Sequence, residues 1–254
     1  EMYEEYKANR EIMPEDLREN IPYIRRLIHA MNIPLIEQAG YEADDVIGTL
    51  AKKMEKKGVE VFMMTPDKDY GQLVSENIKM YKPKRFGSGI EILGVEEINA
   101  KYGLTKPEQL IDILALWGDK SDNIPGAPGI GEKTASKLVG QYGSVEKLYE
   151  HIDELKGKQK ESLEENKEQV FLSKKLVTIN IEVPIEQDYE DLVRKEPNEK
   201  ELDELLNELE FKNIINRIFP NKPVNTHGQQ TLFDFGEEQP EMSHHTTLEN
   251  IETN

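Results

Sequence analysis

The sequence contains no cysteine, which excludes disulfide bonds and metal sites built on thiolates. It also lacks any apolar run near the ~20 residues that a membrane-spanning helix requires. Aromatic residues make up only 7% of the 254-residue chain, and tryptophan occurs once. We therefore expect no membrane partner. The absence of cysteine agrees with a reducing compartment such as a cytoplasm.

Positive charge is scarce relative to negative charge. The 32 Lys and Arg residues face 50 Asp and Glu residues, and the formal net charge is −18. Two thirds of this acidic excess lies in residues 151–254. Such a balance argues against a protein that binds nucleic acid through bulk positive charge. Contacts with a polyanion would have to use local basic groups and backbone amides.

Hydrophobic periodicity predicts three regions along the chain. In the first, residues 1–116, helices alternate with short apolar strands, as in a mostly parallel sheet with helices on both faces. The helices are expected at 14–31, 42–57, 95–102 and 106–117, and the strands at 34–37, 60–65 and within 77–93. The second region, residues 117–219, is expected to be helical, with helices at 131–140, 144–152 and 158–176 and one or two short helices within 198–218. Residues 220–254 lose all periodicity, which predicts a disordered tail.

Three acidic clusters lie at predicted element boundaries. Carboxylate oxygens suit hard cations such as Mg²⁺, and a pair of such ions about 4 Å apart can hydrolyse phosphodiesters. Each cluster also has an ordinary explanation, as helix-start acids, an Asx turn or a capping residue. Their combination favours a divalent-metal site, and the lack of His and Cys ligands argues against zinc. The candidate ligands are Glu42, Asp44, Asp45, Asp67, Asp69, Asp119 and Asp122.

The second cluster allows another interpretation. An Asp-x-Asp sequence directly after a strand also occurs in phosphatases that form an aspartyl phosphate. Asp67 would then be a nucleophile, although the glycine-rich segment that follows Asp122 would have no explanation.

Residues 124–135 are rich in glycine and are expected to form a tight hairpin that opens a helix. Gly126 and Gly129 predict positive φ angles, and Gly131 would allow a phosphate close to the backbone. Free amides at the helix start, beside Lys133 and Thr134, would bind that phosphate. A plain helix–turn–helix joint is the alternative. A Walker A loop is rejected, because Glu132 separates Gly131 from Lys133 and a helix precedes the segment.

Five motifs occur together in a fixed order. They are Tyr-Lys-Ala-Asn-Arg10, Tyr-Glu-Ala-Asp-Asp45, Thr-Pro-Asp-Lys-Asp69, Gly-Asp-Lys-Ser-Asp-Asn123 and Gly-Ala-Pro-Gly-Ile-Gly-Glu-Lys-Thr-Ala135. With these motifs the chain, from its start to about residue 220, resembles the 5′→3′ exonuclease domain of bacterial DNA polymerase I, a member of the flap endonuclease family. The resemblance implies an α/β, Rossmann-like and PIN-like domain followed by a helical helix–hairpin–helix subdomain.

The resemblance also implies roles for individual residues. Lys7 and Arg10, otherwise solvated charges, would contact the scissile phosphate at the base of a helical arch. The seven acids would bind or orient two Mg²⁺ or Mn²⁺ ions. The hairpin would belong to a helix–three-turn–helix element that holds duplex backbone, often with a potassium ion. Its contact residues would be Gly126, Gly129, Ile130, Gly131, Lys133, Thr134 and Lys137.

The activity that the resemblance implies is hydrolysis of 5′ flaps, 5′ ends and RNA primers during DNA replication and repair. The protein would be a monomer in the bacterial cytoplasm, associated with the nucleoid. The family pattern begins with an apolar strand that bears an Asp, and a second Asp precedes the arch. This sequence shows neither, so we expect an N-terminally truncated fragment with little activity alone.

A rival interpretation is that the chain binds DNA but does not cleave it. The chain would be a non-catalytic helix–hairpin–helix module tethered to a sliding clamp. The tail holds Gln229-Gln-Thr-Leu-Phe-Asp-Phe235, which resembles a clamp-binding peptide. Its contacts would be Gln229, Leu232 and Phe233, unless these are chance apolar residues in a linker.

Overall fold

The computed structural model describes residues 3–84 and 89–219. The chain divides into two compact units, one up to Leu205 and one from Leu206 onward. Strands and helices in the first half, followed by helices alone, confirm the predicted fold class. The boundaries after residues 116 and 219 stay predictions. The tail 220–254, with Gln229, Leu232 and Phe233, lies outside the described residues.

The first half contains a small sheet and four helices. An arm of turns over residues 3–10 precedes the first helix. The elements are α1 (Glu15–Ala30), α2 (Ala43–Glu55), β1 (Val61–Met64), β2 (Ile78–Pro83), β3 (Ile90–Leu93), α3 (Val95–Tyr102) and α4 (Leu110–Trp117). Short 3₁₀ turns at Lys68–Leu73 and Pro107–Gln109 join them.

The sheet has the order β1-β2-β3 and a mixed pattern of pairing. β1 and β2 run parallel, with Val61 opposite Ile78. β2 and β3 run antiparallel, with Met80 opposite Leu93. The strand predicted at 34–37 is wrong, because this extended segment pairs with no strand among the described residues. Leu35 within it is 37% exposed.

The second half is helical. Its elements are α5 (Glu132–Tyr142), α6 (Val145–Glu150), α7 (Gly157–Glu165), α8 (Lys167–Val177), α9 (Glu199–Glu208) and α10 (Lys212–Ile218), with 3₁₀ turns at Ile152–Glu154 and Tyr189–Leu192. The single helix predicted at 158–176 is two helices, because the chain leaves helical geometry at Asn166, with φ −110° and ψ 23°. Of all the helices described, none is long and apolar enough to cross a bilayer.

Helix α4 is the centre of the core. Leu110, Ile113, Leu114 and Leu116 are completely buried. A helix that is apolar on nearly every face must be enclosed by neighbours, and α4 packs against α5 and α8. The loop that follows α4 therefore begins at the end of a tightly packed helix.

One charged residue, Asp112, lies within α4 and is buried. Its Oδ1 accepts hydrogen bonds from the backbone N–H of Val145 at 2.9 Å and from Lys174 Nζ at 2.6 Å. Lys174 also pairs with Glu146 at 2.8 Å. Burial alone would lower the pKa of Lys174, but the hydrogen bonds to the two carboxylates raise it. The network connects α4, α6 and α8.

We expect Asp112→Ala to lower the free energy of unfolding by about 3 kcal/mol. The change leaves the buried N–H of Val145 without an acceptor and Lys174 without its buried carboxylate. Glu146→Ala should cost less than about 1 kcal/mol, since the Glu146 side chain is 49% exposed. Urea unfolding of both variants measures the difference. Equal losses would contradict a special role for the buried carboxylate.

Candidate metal and nucleic-acid site

The first acidic cluster is fixed at the start of α2. Glu42 precedes the helix, and its backbone N–H donates to Asp45 Oδ2 at 3.3 Å, as in a capping box. Asp45 Oδ1 also accepts the backbone N–H of Asn180 at 2.8 Å. Burial, with help from the charges of Glu42 and Asp45, raises the pKa of Asp44. The start of α2 thus gathers three carboxylates and stabilises each in a defined position.

The second cluster follows β1 directly. Asp67 caps the 3₁₀ turn, and its Oδ1 accepts the backbone N–H of Asp69 at 3.0 Å. Asp69 Oδ1 is buried and has no hydrogen-bond partner of good geometry among the described residues. It lies 3.3 Å from Lys68 Nζ. Burial raises the pKa of Asp69 to about 6, although Lys68 opposes the shift.

The third cluster lies in the loop after α4. The backbones of Asp119 and Ile124 pair through two hydrogen bonds, of 2.9 and 2.7 Å, which close the loop. Asp119 Oδ1 accepts the N–H of Ser121 at 2.7 Å, and its Oδ2 accepts from Lys68 Nζ. Burial would raise the pKa of Asp119, but these hydrogen bonds outweigh burial and lower it. Asp119 is therefore held as an anion.

The N-terminal arm brings two cations to the acids. The backbone N–H of Lys7 donates to the carbonyl oxygen of Asp122 at 3.0 Å. Lys7 Nζ pairs with Glu42 and lies 3.7 Å from Asp122 Oδ2, and Arg10 pairs with Asp122 Oδ1. Burial would lower the pKa of Lys7, but hydrogen bonding to Glu42 and Tyr6 raises it. Lys7 thus stays protonated.

The three predicted clusters meet at one edge of the structure. A cavity of about 500 Å³ is lined by five of the acids, namely Glu42, Asp44, Asp45, Asp69 and Asp122. A shallower cavity beside it is lined by Lys7, Arg10, Glu42, Asp44 and Asp67. Asp119 joins the cluster through its ion pair with Lys68, which also lies beside Asp69. Residues of all three clusters therefore lie close together in the structure.

Four of the seven carboxylates, those of Glu42, Asp69, Asp119 and Asp122, are held in ion pairs. Throughout residues 3–84 and 89–219, no three acidic or histidine side chains are close enough together to hold one metal ion. Lys7, Arg10 and Lys68 pair with these acids instead. The donor set itself consists only of carboxylate oxygens, and the buried Asp69 Oδ1 has an unused lone pair, so its chemistry fits a hard divalent cation.

Several positioning contacts were not predicted from the sequence. Lys68 lies between Asp67 and Asp69, and these flanking acids could have indicated that its side chain forms an ion pair with the acidic clusters. Gln72 is buried and donates to the carbonyl of Val177 at 2.9 Å, and it accepts the N–H of Ile179 at 3.0 Å. Asn180 contacts Asp45 through its backbone, so no side-chain pattern could reveal it.

The glycine hairpin has the predicted backbone. Gly126 has φ +59° and Gly129 has φ +78°, which confirms positive φ at both. The hairpin is anchored by Ile130, whose side chain is 5% exposed. In the part of the chain that the structure describes, the amides of Gly131, Glu132 and Lys133 have no hydrogen-bond partner. They face the open start of α5, where an anion would find donors and the positive end of the helix dipole.

The remaining predicted contact residues surround these amides. Lys133 and Lys137 are exposed, and Thr134 is half-buried. A groove of about 770 Å³ is lined by Lys68, Trp117, Asp119 and residues 129–131, and it connects the hairpin with one of the seven acids, Asp119. One ligand can therefore contact both.

Two family models match the chain. Residues 1–103 match the 5′-3′ exonuclease, N-terminal resolvase-like domain, and residues 105–200 match the 5′-3′ exonuclease, C-terminal SAM fold. Together they cover all of the residues described above as building the site.

Curated relatives at high identity are DNA polymerases I. That of Caldicellulosiruptor bescii is 45% identical over 218 residues, which are 85% of this chain and 26% of the relative. That of Bacillus subtilis is 45% identical over 217 residues, which are 85% of this chain and 24% of the relative. The chain thus spans about a quarter of the length of these relatives.

A solved structure has the same fold. It is the bacteriophage T5 D15 flap endonuclease in complex with DNA and metal ions, with a TM-score of 0.59 and 21% identity. The match covers 82% of this chain and 78% of that protein. Because both family models match in the expected order and the fold agrees, the chain belongs to the 5′-3′ exonuclease family.

Proposed function

We propose that the chain is the nuclease region of a metal-dependent, structure-specific 5′→3′ exonuclease and 5′-flap endonuclease. As part of a DNA polymerase I, it would hydrolyse phosphodiester bonds in DNA flaps and RNA primers during replication and repair. The observation that supports this most strongly is the meeting of three acidic clusters and two basic arm residues at one edge.

The seven acids would hold two Mg²⁺ or Mn²⁺ ions, which agrees with the oxygen-only donor set. The related T5 protein has been solved with metal ions and DNA bound. When bound, such ions supply Lewis-acid stabilisation of charge on the reacting phosphate. The chain's own contribution is to place carboxylates from three elements around that position, which costs electrostatic repulsion unless cations are present.

Lys7 and Arg10 would bind the scissile phosphate. Both lie against the acids, and the shallow cavity that they line opens beside Asp67. Their charges offset the negative charge that accumulates on a phosphate under attack. The raised pKa of Lys7 keeps its ammonium charged throughout the physiological pH range.

The hairpin would hold the phosphates of the duplex, through the amides of Gly131, Glu132 and Lys133 and the side chains of Lys133, Thr134 and Lys137. A potassium ion bound there is part of the proposal. Because these contacts are to the backbone, recognition would follow the structure of the DNA and not its sequence.

Gly131→Ala separates this binding role from folding. Gly131 has φ −91°, and a methyl group there would meet nothing within 4 Å, so stability should fall by less than about 1 kcal/mol. The methyl group would instead obstruct a phosphate, and affinity for 5′-flap DNA should fall roughly fivefold, about the worth of one hydrogen bond. Fluorescence anisotropy measures the affinity and urea unfolding the stability. Unchanged affinity would argue against the hairpin contact.

The activity is tested on 5′-flap DNA with Mg²⁺ and, as a control, with EDTA. The chain is assayed alone and within the longest reading frame that contains it. Magnesium-dependent release of the flap by either protein supports the proposal. No cleavage by either, at protein concentrations that bind the DNA, would contradict it.

A non-catalytic DNA-binding module is the second candidate, because no three acids in the described residues are placed to share a metal ion. Such a module would bind flap DNA and leave it intact in the same assay. Clamp contact through Gln229, Leu232 and Phe233, and association with the nucleoid, are further proposals.

A further inference from the structure

Lys68 occupies a central position that the proposed function does not use. Its Nζ donates to Asp119 Oδ2 and lies 3.3 Å from Asp69 Oδ1. The partners belong to different elements, the turn after β1 and the loop after α4. The ammonium is partly shielded, because the Lys68 side chain is 28% exposed and that of Asp119 only 7%. One cation therefore connects two separate acidic clusters.

An aromatic ring lies beside the same ammonium. Lys68 Nζ is 5.5 Å from the ring centroid of Trp117, the only tryptophan in the chain. This is within the range of a cation–π interaction. Trp117 and Lys68 also line one groove with Asp119. A movement of the ammonium would therefore change the surroundings of a unique fluorophore.

We propose that Lys68 is a positioning residue that holds Asp69 and Asp119 together and competes with divalent cations for their oxygens. This inference rests on the metal assignment in the proposed function. Two carboxylates that approach each other repel unless a positive charge lies between them. An oxygen that accepts from an ammonium cannot offer the same lone pair to a metal ion. A divalent cation must therefore displace the Lys68 ammonium from Asp119.

Removal of the Lys68 charge should strengthen metal binding. We expect Lys68→Met, which keeps a long apolar side chain, to bind Mn²⁺ roughly fivefold more tightly than the wild type, as for loss of one partly exposed ion pair. Lys68→Gln, a second neutral variant, should shift the same way if the Met variant folds poorly. Lys68→Arg keeps the charge and should stay within about twofold of the wild type. Electron paramagnetic resonance of the full 254-residue chain counts free Mn²⁺ directly.

Fluorescence of Trp117 gives an independent readout. Titration of the wild type with Mg²⁺ should change the emission in a saturable way, as the ammonium leaves the ring. The Lys68→Met variant should bind the ion and show no such change. A merely structural lysine would produce neither the tighter affinity nor the loss of signal.

Lys79 provides a matched control. Its Nζ pairs with Glu60 and lies 5.7 Å from the ring centroid of Phe62, so it makes the same kinds of contact away from the acidic clusters. Lys79→Met removes the same charge and should leave both the Mn²⁺ affinity and the Trp117 signal unchanged.

The outcomes distinguish the role of Lys68 from the metal assignment. If the wild type binds Mn²⁺ and Asp119→Asn abolishes this, but Lys68→Met binds equally or more weakly, then the role of Lys68 is overturned and the metal assignment stands. If the wild type does not bind Mn²⁺, or Asp119→Asn binds as tightly, then both the assignment and the role of Lys68 are refuted.

Discussion

Replacement of Asp119 and Asp122 together by Asn is expected to reduce flap cleavage at least about a thousandfold, in whichever form of the protein cleaves. Metal-ion catalysis supplies several kcal/mol of transition-state stabilisation, and each 1.4 kcal/mol is roughly a factor of ten in rate. The two side chains contribute to the cluster from one rigid loop, through Lys68 on one side and Arg10 on the other. Single-turnover cleavage of a labelled flap measures the effect.

The control is a double variant with the same change of charge. Asp153 and Asp188 are ion-paired with Lys160 and Lys57, and neither residue lines the cavities of the acidic clusters. Asp153→Asn with Asp188→Asn should cleave within about twofold of the wild type, since exposed pairs contribute little. Full-rate cleavage by the Asp119 and Asp122 variant, with its fold intact by circular dichroism, would refute the metal assignment.

Gly126→Ala is expected to cause the largest loss of stability, about 3 kcal/mol or more, since backbone strain and overpacking add. Gly126 has φ +59°, and an added Cβ would lie 2.5 Å from Gly118 N and 2.6 Å from the carbonyl carbon of Trp117. Both are backbone atoms at the end of the buried helix α4, so neither can move away as a flexible side chain would. Urea unfolding measures the loss, and the loosened hairpin should also bind DNA more weakly.

Gly103→Ala isolates the cost of the backbone angle from the cost of the clash. Gly103 has φ +68°, and an added Cβ would meet nothing within 4 Å. Its loss should be about 1 kcal/mol, the usual penalty for an alanine at positive φ. If both variants lose the same free energy of unfolding, the close approach of the two backbones at Gly126 adds nothing to the cost of an alanine there.

Features set by local chemistry could be predicted from the sequence. The positive φ angles of Gly126 and Gly129 were predicted from glycines in a tight turn, where glycine adopts this conformation without steric cost. The helix starting near Glu42 follows from its acidic first turn and apolar periodicity. The position of each acidic cluster at an element boundary was also predicted, since it depends on local sequence. The roles of individual site residues stay predictions, since no contact in the structure assigns a metal or a phosphate to them.

Features set by distant contacts could not be predicted. Gln72 and Val177, and likewise Asp45 and Asn180, are separated by more than a hundred residues, and backbone groups supply half of each contact. The segment at 34–37 has the composition of a strand, but a strand needs a neighbour, and none of the described strands pairs with it. The break at Asn166 leaves the apolar pattern of the two helices continuous, so periodicity alone missed it.

The short backbone bridge between Asp119 and Ile124 has a geometric consequence for the proposed complex. The bridge joins Asp119, a proposed metal ligand, to the first residue of the phosphate-binding hairpin. Both follow directly after the buried helix α4. The spacing between the phosphate that is held and the phosphate that is cut would then be a constant of the protein. The cleavage position would then be set by distance along the duplex from the bound phosphate, independent of base sequence.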